Sequence, residues 1–139
     1  MSVSSSGIDS DLQETLDGAE SAFAEGLVDE YSDFYADNAV LLINSQPAIQ
    51  GKEAIRASLA EVFGSFDTSA YSQTYEIIDV HDRHAYVLSH FEEVLRPWDG
   101  QPGIRVHGRL VLFLHRDDEG RWRIKMALTG RSAPDEPEE

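Results

Sequence analysis

Four side chains on two neighbouring β segments could do chemistry together: His90, Glu92, His107 and Arg109. Residues 104–116 and 121–129 flank Asp117-Asp118-Glu119-Gly120, a hairpin turn signal. Pairing Arg116 with Arg121 sets His115 against Trp122, Phe113 against Ile124, Val111 against Met126 and Arg109 against Leu128. The last segment alternates, with Arg121, Arg123 and Lys125 on one face and Trp122, Ile124, Met126 and Leu128 on the other. The apolar face is expected to point inward and to take His107 and Arg109 with it. Pairing Arg96 with Arg105 across the Trp98 loop then puts Glu92 opposite Arg109 and His90 opposite Val111.

A carboxylate and a guanidinium buried together must pair or serve a ligand, because an isolated buried charge costs several kcal/mol. Three readings stay open. Glu92 and Arg109 form a cross-strand bridge, or Arg109 anchors a polar or carboxylate-bearing small molecule. In the third, His90 or His107 works with Glu92 as an acid–base pair, since imidazole titrates near neutrality. The pocket residues expected around such a ligand are Tyr31, Tyr35, Phe63, Met126 and Leu128. A one-residue slip or a β-bulge would turn Ser89, Phe91 and Glu93 inward instead.

Other conspicuous residues read as local structure. Asp117 and Asp118 are turn chemistry, and His81 and His84 flank a turn where solvent is expected to reach them. No histidine pair stands at metal-ligand spacing near a third ligand, so no metal is expected. Trp98 sits in a loop, as a pocket lip, a dimer contact or plain surface.

The elements that must position these residues follow from periodicity. Leu12, Leu16, Ala19 and Phe23 recur at helical spacing, with Ser10 or Asp9 as cap and Gly26 as stop. Leu27, Tyr31, Phe34 and Tyr35 make a second helical stripe, broken at Asp37-Asn38. Ala39 to Ile43 is a short apolar strand, and a third helix after Gly51 buries Ile55, Leu59, Val62 and Phe63. Four longer β segments follow: 69–80, 84–96, 104–116 and 121–129. Helices first and an antiparallel meander after them make the chain α+β.

Composition narrows the function classes. At 139 residues the chain is expected to form one domain over residues 9–132, between a flexible start (1–8) and a disordered acidic tail (133–139). The formal net charge of −15 repels phosphate, so neither nucleic acid nor an anionic membrane is expected as a partner. Cysteine is absent, which removes disulfides, thiolate metal sites and a Cys nucleophile. No stretch is long and apolar enough to cross a bilayer, and the N-terminus lacks a signal-peptide pattern, so a cytoplasmic location is expected.

Three motifs in order, Tyr35-Ala36-Asp37-Asn38-Ala39-Val40, Gly51-Lys52-Glu53-Ala54-Ile55-Arg56 and Gly120-Arg121-Trp122-Arg123-Ile124, resemble the nuclear transport factor 2-like superfamily. Its SnoaL-like and ketosteroid isomerase-like members look most similar. The resemblance implies a cone-shaped fold, a bent antiparallel sheet wrapped over three N-terminal helices, with an internal pocket for a small-molecule ligand. It implies a homodimer through the outer sheet face, where Leu110, Leu112 and Leu114 are expected. It implies an isomerase- or cyclase-type or accessory role without a cofactor, or a noncatalytic assembly module with a vestigial pocket. Two departures weaken the catalytic inference. The isomerase base position falls on Ile43, and the last strand, Ala127-Leu128-Thr129-Gly130-Arg131-Ser132, lacks the cyclases' acid.

Overall fold

The structure, a computed structural model, describes residues 10–44 and 46–131. The expected flexible start, the Asp9 cap and the acidic tail lie outside them. In chain order the elements are α1 (Ser10–Ala24), α2 (Val28–Ser32), β1 (Tyr35–Ile43), β2 (Ile49–Gln50), α3 (Lys52–Ser65), β3 (Phe66–His81), β4 (His84–Pro97), β5 (Ile104–Arg116) and β6 (Trp122–Arg131). Three helices lie on the concave face of one bent, unclosed six-stranded sheet of order β2-β1-β6-β5-β4-β3. β3 to β6 form the expected antiparallel meander, while β1 runs parallel to β6.

Local chemistry sets the element ends. After α1, the Gly26 amide bonds to the Phe23 carbonyl and the Leu27 amide to the Ala22 carbonyl, a double closure that needs Gly26 at φ 70°. Leu12, Leu16 and Ala19 are buried on one face of α1 as their spacing requires. The second helix is shorter than its stripe predicts. It ends at Ser32, whose hydroxyl donates back to the Val28 and Asp29 carbonyls, and the chain is already a strand at Tyr35. The main core, with Leu12, Leu16, Ile55, Leu114 and Ile124 fully buried, lies between helices and sheet.

The strand register corrects the expected faces. Asp117 clasps the β5–β6 turn: its Oδ1 accepts from the amides of Glu119 and Arg121, and its own amide donates to the Arg121 carbonyl. Arg121 thus belongs to the turn, and Arg116 pairs with Trp122. A bulge between Phe113 and Leu114 then shifts the phase of β6, so Ala127 is buried inside while Met126 and Leu128 face out. Leu110, Leu112 and Leu114, expected outside, lie on the concave face. On β4 it is Ser89, Phe91 and Glu93 that turn inward, all buried. Glu92 pairs with His107 and His90 with Arg109, two residues away from the expected register.

Candidate functional site

A cavity of about 110 Å³ lies between the helices and the concave sheet face. One stripe of α1, Leu16, Ala19, Glu20 and Phe23, forms one wall at i, i+3, i+4 and i+7 spacing. Tyr31 of α2, with Leu59 and Val62 of α3, closes the helical side. Tyr35, Leu41 and Ile43 of β1, Leu110 and Leu112 of β5, and Ile124 of β6 supply the floor. Tyr71 and Gln73 of β3 and Phe91 of β4 line the far side, and Thr129 and Arg131 complete the wall at the end of β6.

The polar groups divide into satisfied and unsatisfied ones. Gln73 is fully engaged: its Oε1 accepts from Tyr71 Oη at 2.9 Å and Ser89 Oγ at 3.5 Å, and its Nε2 donates to Tyr75 Oη at 3.1 Å. Burial raises the Glu20 carboxyl, and hydrogen bonds from Gln73 pull it partly back. The Tyr31 and Tyr35 hydroxyls are bonded to each other at 3.1 Å. Burial lifts both phenols, so both keep their protons at neutral pH. Of their two hydrogens only one fits between the two oxygens, which leaves the other to donate elsewhere.

Glu93 is the least satisfied group. It is 6% exposed, and its buried Oε1 has no hydrogen-bond partner among the described residues. It sits on the concave face two residues beyond Phe91, with Tyr71 as its cross-strand neighbour. Burial raises its carboxyl, against a smaller pull from the Arg131 charge; its own charge is felt by Tyr31 and Tyr71. All three of those neighbours line the cavity.

The structure brings two of the expected site residues into this cavity, Tyr31 and Tyr35. Phe63 packs beside it, its ring 5.3 Å from that of Phe23, while Trp98 is exposed and donates from Nε1 to the Phe63 carbonyl. His90, Glu92, His107, Arg109, Met126 and Leu128 stand on the outer sheet face, because the turn clasp and the β6 bulge reverse the face they were assigned. Arg109 there reaches across β4 to Glu76 of β3, Nη1 to Oε1 3.2 Å, in place of the expected bridge to Glu92. Sequence reasoning passed over Glu20, Tyr71, Gln73 and Arg131 as site residues, and named Glu93 only as one of the residues that a one-residue slip or a bulge would turn inward, which is the arrangement found. One signal pointed to Glu93: the odd positions of β4 (Ala85, Val87, Ser89, Phe91, Leu95) are more uniformly apolar or small than the even ones.

The fold has known relatives. A SnoaL-like domain family matches residues 10–127. The chain belongs to that family. Among solved structures, a ketosteroid isomerase-like protein from Erwinia carotovora atroseptica SCRI1043 superposes with a TM-score of 0.82 at 17% identity, covering 90% of this chain and 96% of that one. A scytalone dehydratase candidate from Novosphingobium aromaticivorans DSM 12444 gives 0.77 at 16%, with 91% and 85% covered. An NTF-2 like protein from Shewanella oneidensis MR-1 gives 0.66 at 22%, with 86% and 96% covered. At these identities the likeness concerns the fold, that of the NTF2-like superfamily. No curated protein is significantly similar in sequence.

Proposed function

We propose that this SnoaL-like protein binds a compact small molecule in the cavity between helices and sheet. The observation that carries the reading is a pair of unspent polar groups at a largely apolar space: one phenolic hydrogen at Tyr31–Tyr35 in its wall, and the orphaned Oε1 of Glu93 next to the lining residues Tyr71 and Phe91. Buried polar atoms without partners are rare in native proteins and point to something that completes them. At about 110 Å³ the space is smaller than the roughly 150 Å³ of a cavity known to hold benzene, which favours a compact ligand over a polycyclic one. A proton-donating phenol facing a carboxylate equips the site for isomerase- or cyclase-type proton transfer, and the names of the scytalone dehydratase and ketosteroid isomerase-like relatives agree with such a role. A part in a biosynthetic pathway, as enzyme or accessory protein, is the functional context of this reading.

The chain is further proposed to act as a homodimer through the outer sheet face. Two adjacent cross-strand rows there are apolar: Ile77, Leu88, Val111 and Leu128 in one, Tyr86, Phe113 and Met126 in the other. Ile77, Tyr86, Phe113 and Leu128 remain 38–44% exposed, a patch that calls for a cover. The flanking positions are His84 and His115 at one side, His90 and Arg109 at the other. The acids on this face, Asp79 in the Tyr86 row, Glu76 bridged to Arg109, and Glu92 beside His107, stand among histidines and an arginine, so the charge a second copy meets here is mixed rather than uniformly acidic. The same patch supports the second reading, a noncatalytic assembly module.

Native mass spectrometry of protein purified from its own host separates the two. A dimer carrying extra mass that Ala19→Phe removes, by filling the cavity wall, is the expected result. A clean dimer in both forms overturns the ligand reading and leaves the assembly module.

A further inference from the structure

We infer that the ligand's buried end is a small organic ammonium ion, with Glu93 as its counter-ion and the rings of Phe23, Tyr31, Tyr71 and Phe91 around its alkyl carbons. This rests on the reading of the cavity as a ligand site and names the class of molecule it takes.

Glu93 faces the concave side between Phe91 and Leu95, beside the cavity-lining rings of Tyr71 and Phe91, is 6% exposed, and presents an Oε1 that no donor among the described residues reaches. The nearby amide donor is engaged elsewhere, since Gln73 Nε2 donates to Tyr75 and the Gln73 side chain hydrogen-bonds to Glu20. A carboxylate left in this position is strongly disfavoured unless a positive partner or a donor joins it. An anionic ligand would add to the charges of Glu20 and Glu93 and to the field of a −15 chain. A neutral ligand without a donor would strip water from the carboxylate and return nothing. A cation answers all three conditions.

The walls suit the same ion. Phe23 stands 4.8 Å from Tyr71 and 5.4 Å from Tyr31, and Tyr71 lies nearly parallel to Phe91 with ring centroids 5.9 Å apart. These rings form a continuous aromatic strip beside the carboxylate, and aromatic faces attract cations held within about 6 Å. The one cationic side chain lining the cavity among the described residues, Arg131, is exposed at the end of β6. It makes no ion pair with Glu93 or Glu20, so solvent screens much of its opposition.

Two probes of equal shape decide the matter: isobutylammonium and isobutanol, titrated against the full chain at pH 7 in about 0.15 M NaCl, followed by the ring resonances of Tyr31 and Tyr71. The ammonium ion is expected to bind about tenfold or more tightly than the alcohol, the margin of a single unscreened ion pair. Glu93→Gln, which keeps the shape and removes the charge, is expected to bring the two to the same affinity. Equal binding in the unaltered protein, tighter binding of the alcohol, or an ammonium preference that survives Glu93→Gln overturns the charge assignment. In those cases isobutanol still shifts the rings and the cavity stands as a ligand site. If neither probe moves the rings at high millimolar concentration, the ligand reading itself fails with it.

Discussion

Glu93 is held where folding alone would not put a carboxylate, while the tyrosines around it keep their ordinary protonated form. Burial raises the Glu93 carboxyl, so the folded chain binds this proton more tightly than the unfolded chain does. The sign follows from linkage: between the ordinary Glu value of 4.5 and the raised folded value, stability falls as pH rises. Above the folded value the full penalty of a buried charge is present, and below 4.5 it is gone. Glu93→Gln should therefore melt higher than the unaltered protein at pH 7, by about 2–4 °C for each kcal/mol of penalty removed. That advantage should shrink as pH is lowered toward 4.5. Thermal melts of both forms across that range check it; an advantage constant with pH would mean the carboxylate is not the cause. The phenols behave in the opposite functional sense. Raised by burial, Tyr31, Tyr35 and Tyr71 stay protonated donors at any physiological pH.

At the scale of the elements, the cavity depends on how closely β5 and β6 approach. Gly108 is the point of closest contact: a Cβ there would lie 2.2 Å from the Gly130 carbonyl oxygen and 2.9 Å from the Arg131 Cα. Gly108→Ala should cost about 1–3 kcal/mol and displace the end of β6 that carries Arg131. Gly130→Ala, whose Cβ meets nothing within 4 Å, should stay within about 0.5 kcal/mol. Chemical denaturation of the pair measures the difference; equal losses would refute the close approach. These strands also show what a sequence can and cannot say. The α1 stripe, the Gly26 stop and the extents of β4 and β5 were legible, because helical spacing, a left-handed cap and turn residues act locally. Which β face looks inward was not, although Leu110, Leu112 and Leu114 alternate cleanly with Arg109, Val111 and Phe113. Parity there is set by whether Arg121 belongs to the turn or the strand, a choice the Asp117 carboxylate makes by gathering backbone amides. The bulge in β6 then changes phase with no marker in Lys125-Met126-Ala127. A single misassigned turn residue thus moved His90, Glu92, His107 and Arg109 from the outer face to the cavity, and left Glu93 to the alternative register, the one the chain adopts.

For the whole molecule, charge and shape separate two surfaces that sequence patterning mixes. The concave side is closed by helices, while the convex side carries an uncovered apolar patch centred on Phe113, 44% exposed. Phe113→Glu, placed against its own copy in the proposed dimer, should yield a monomer by light scattering with an unchanged far-ultraviolet spectrum; a persistent dimer would move the interface elsewhere. The pairing of β1 with β6 has its own consequence for how such a molecule is made. β1 leaves α2 early in the chain, yet one of its two neighbours in the sheet is the last strand described, with Ile43 beside Thr129. Contacts of such long sequence separation form late, because loop closure must precede them. During synthesis the helices and β1 emerge long before their partner strand, and the Leu41–Ile43 edge stays unpaired on that side until β6 clears the ribosome. A chain interrupted before Trp122 would lack Ile124 in the cavity floor and would leave two open strand edges, β1 and β5, which makes pairing of the ten-residue β6 the step that commits nascent protein to its fold or to aggregation.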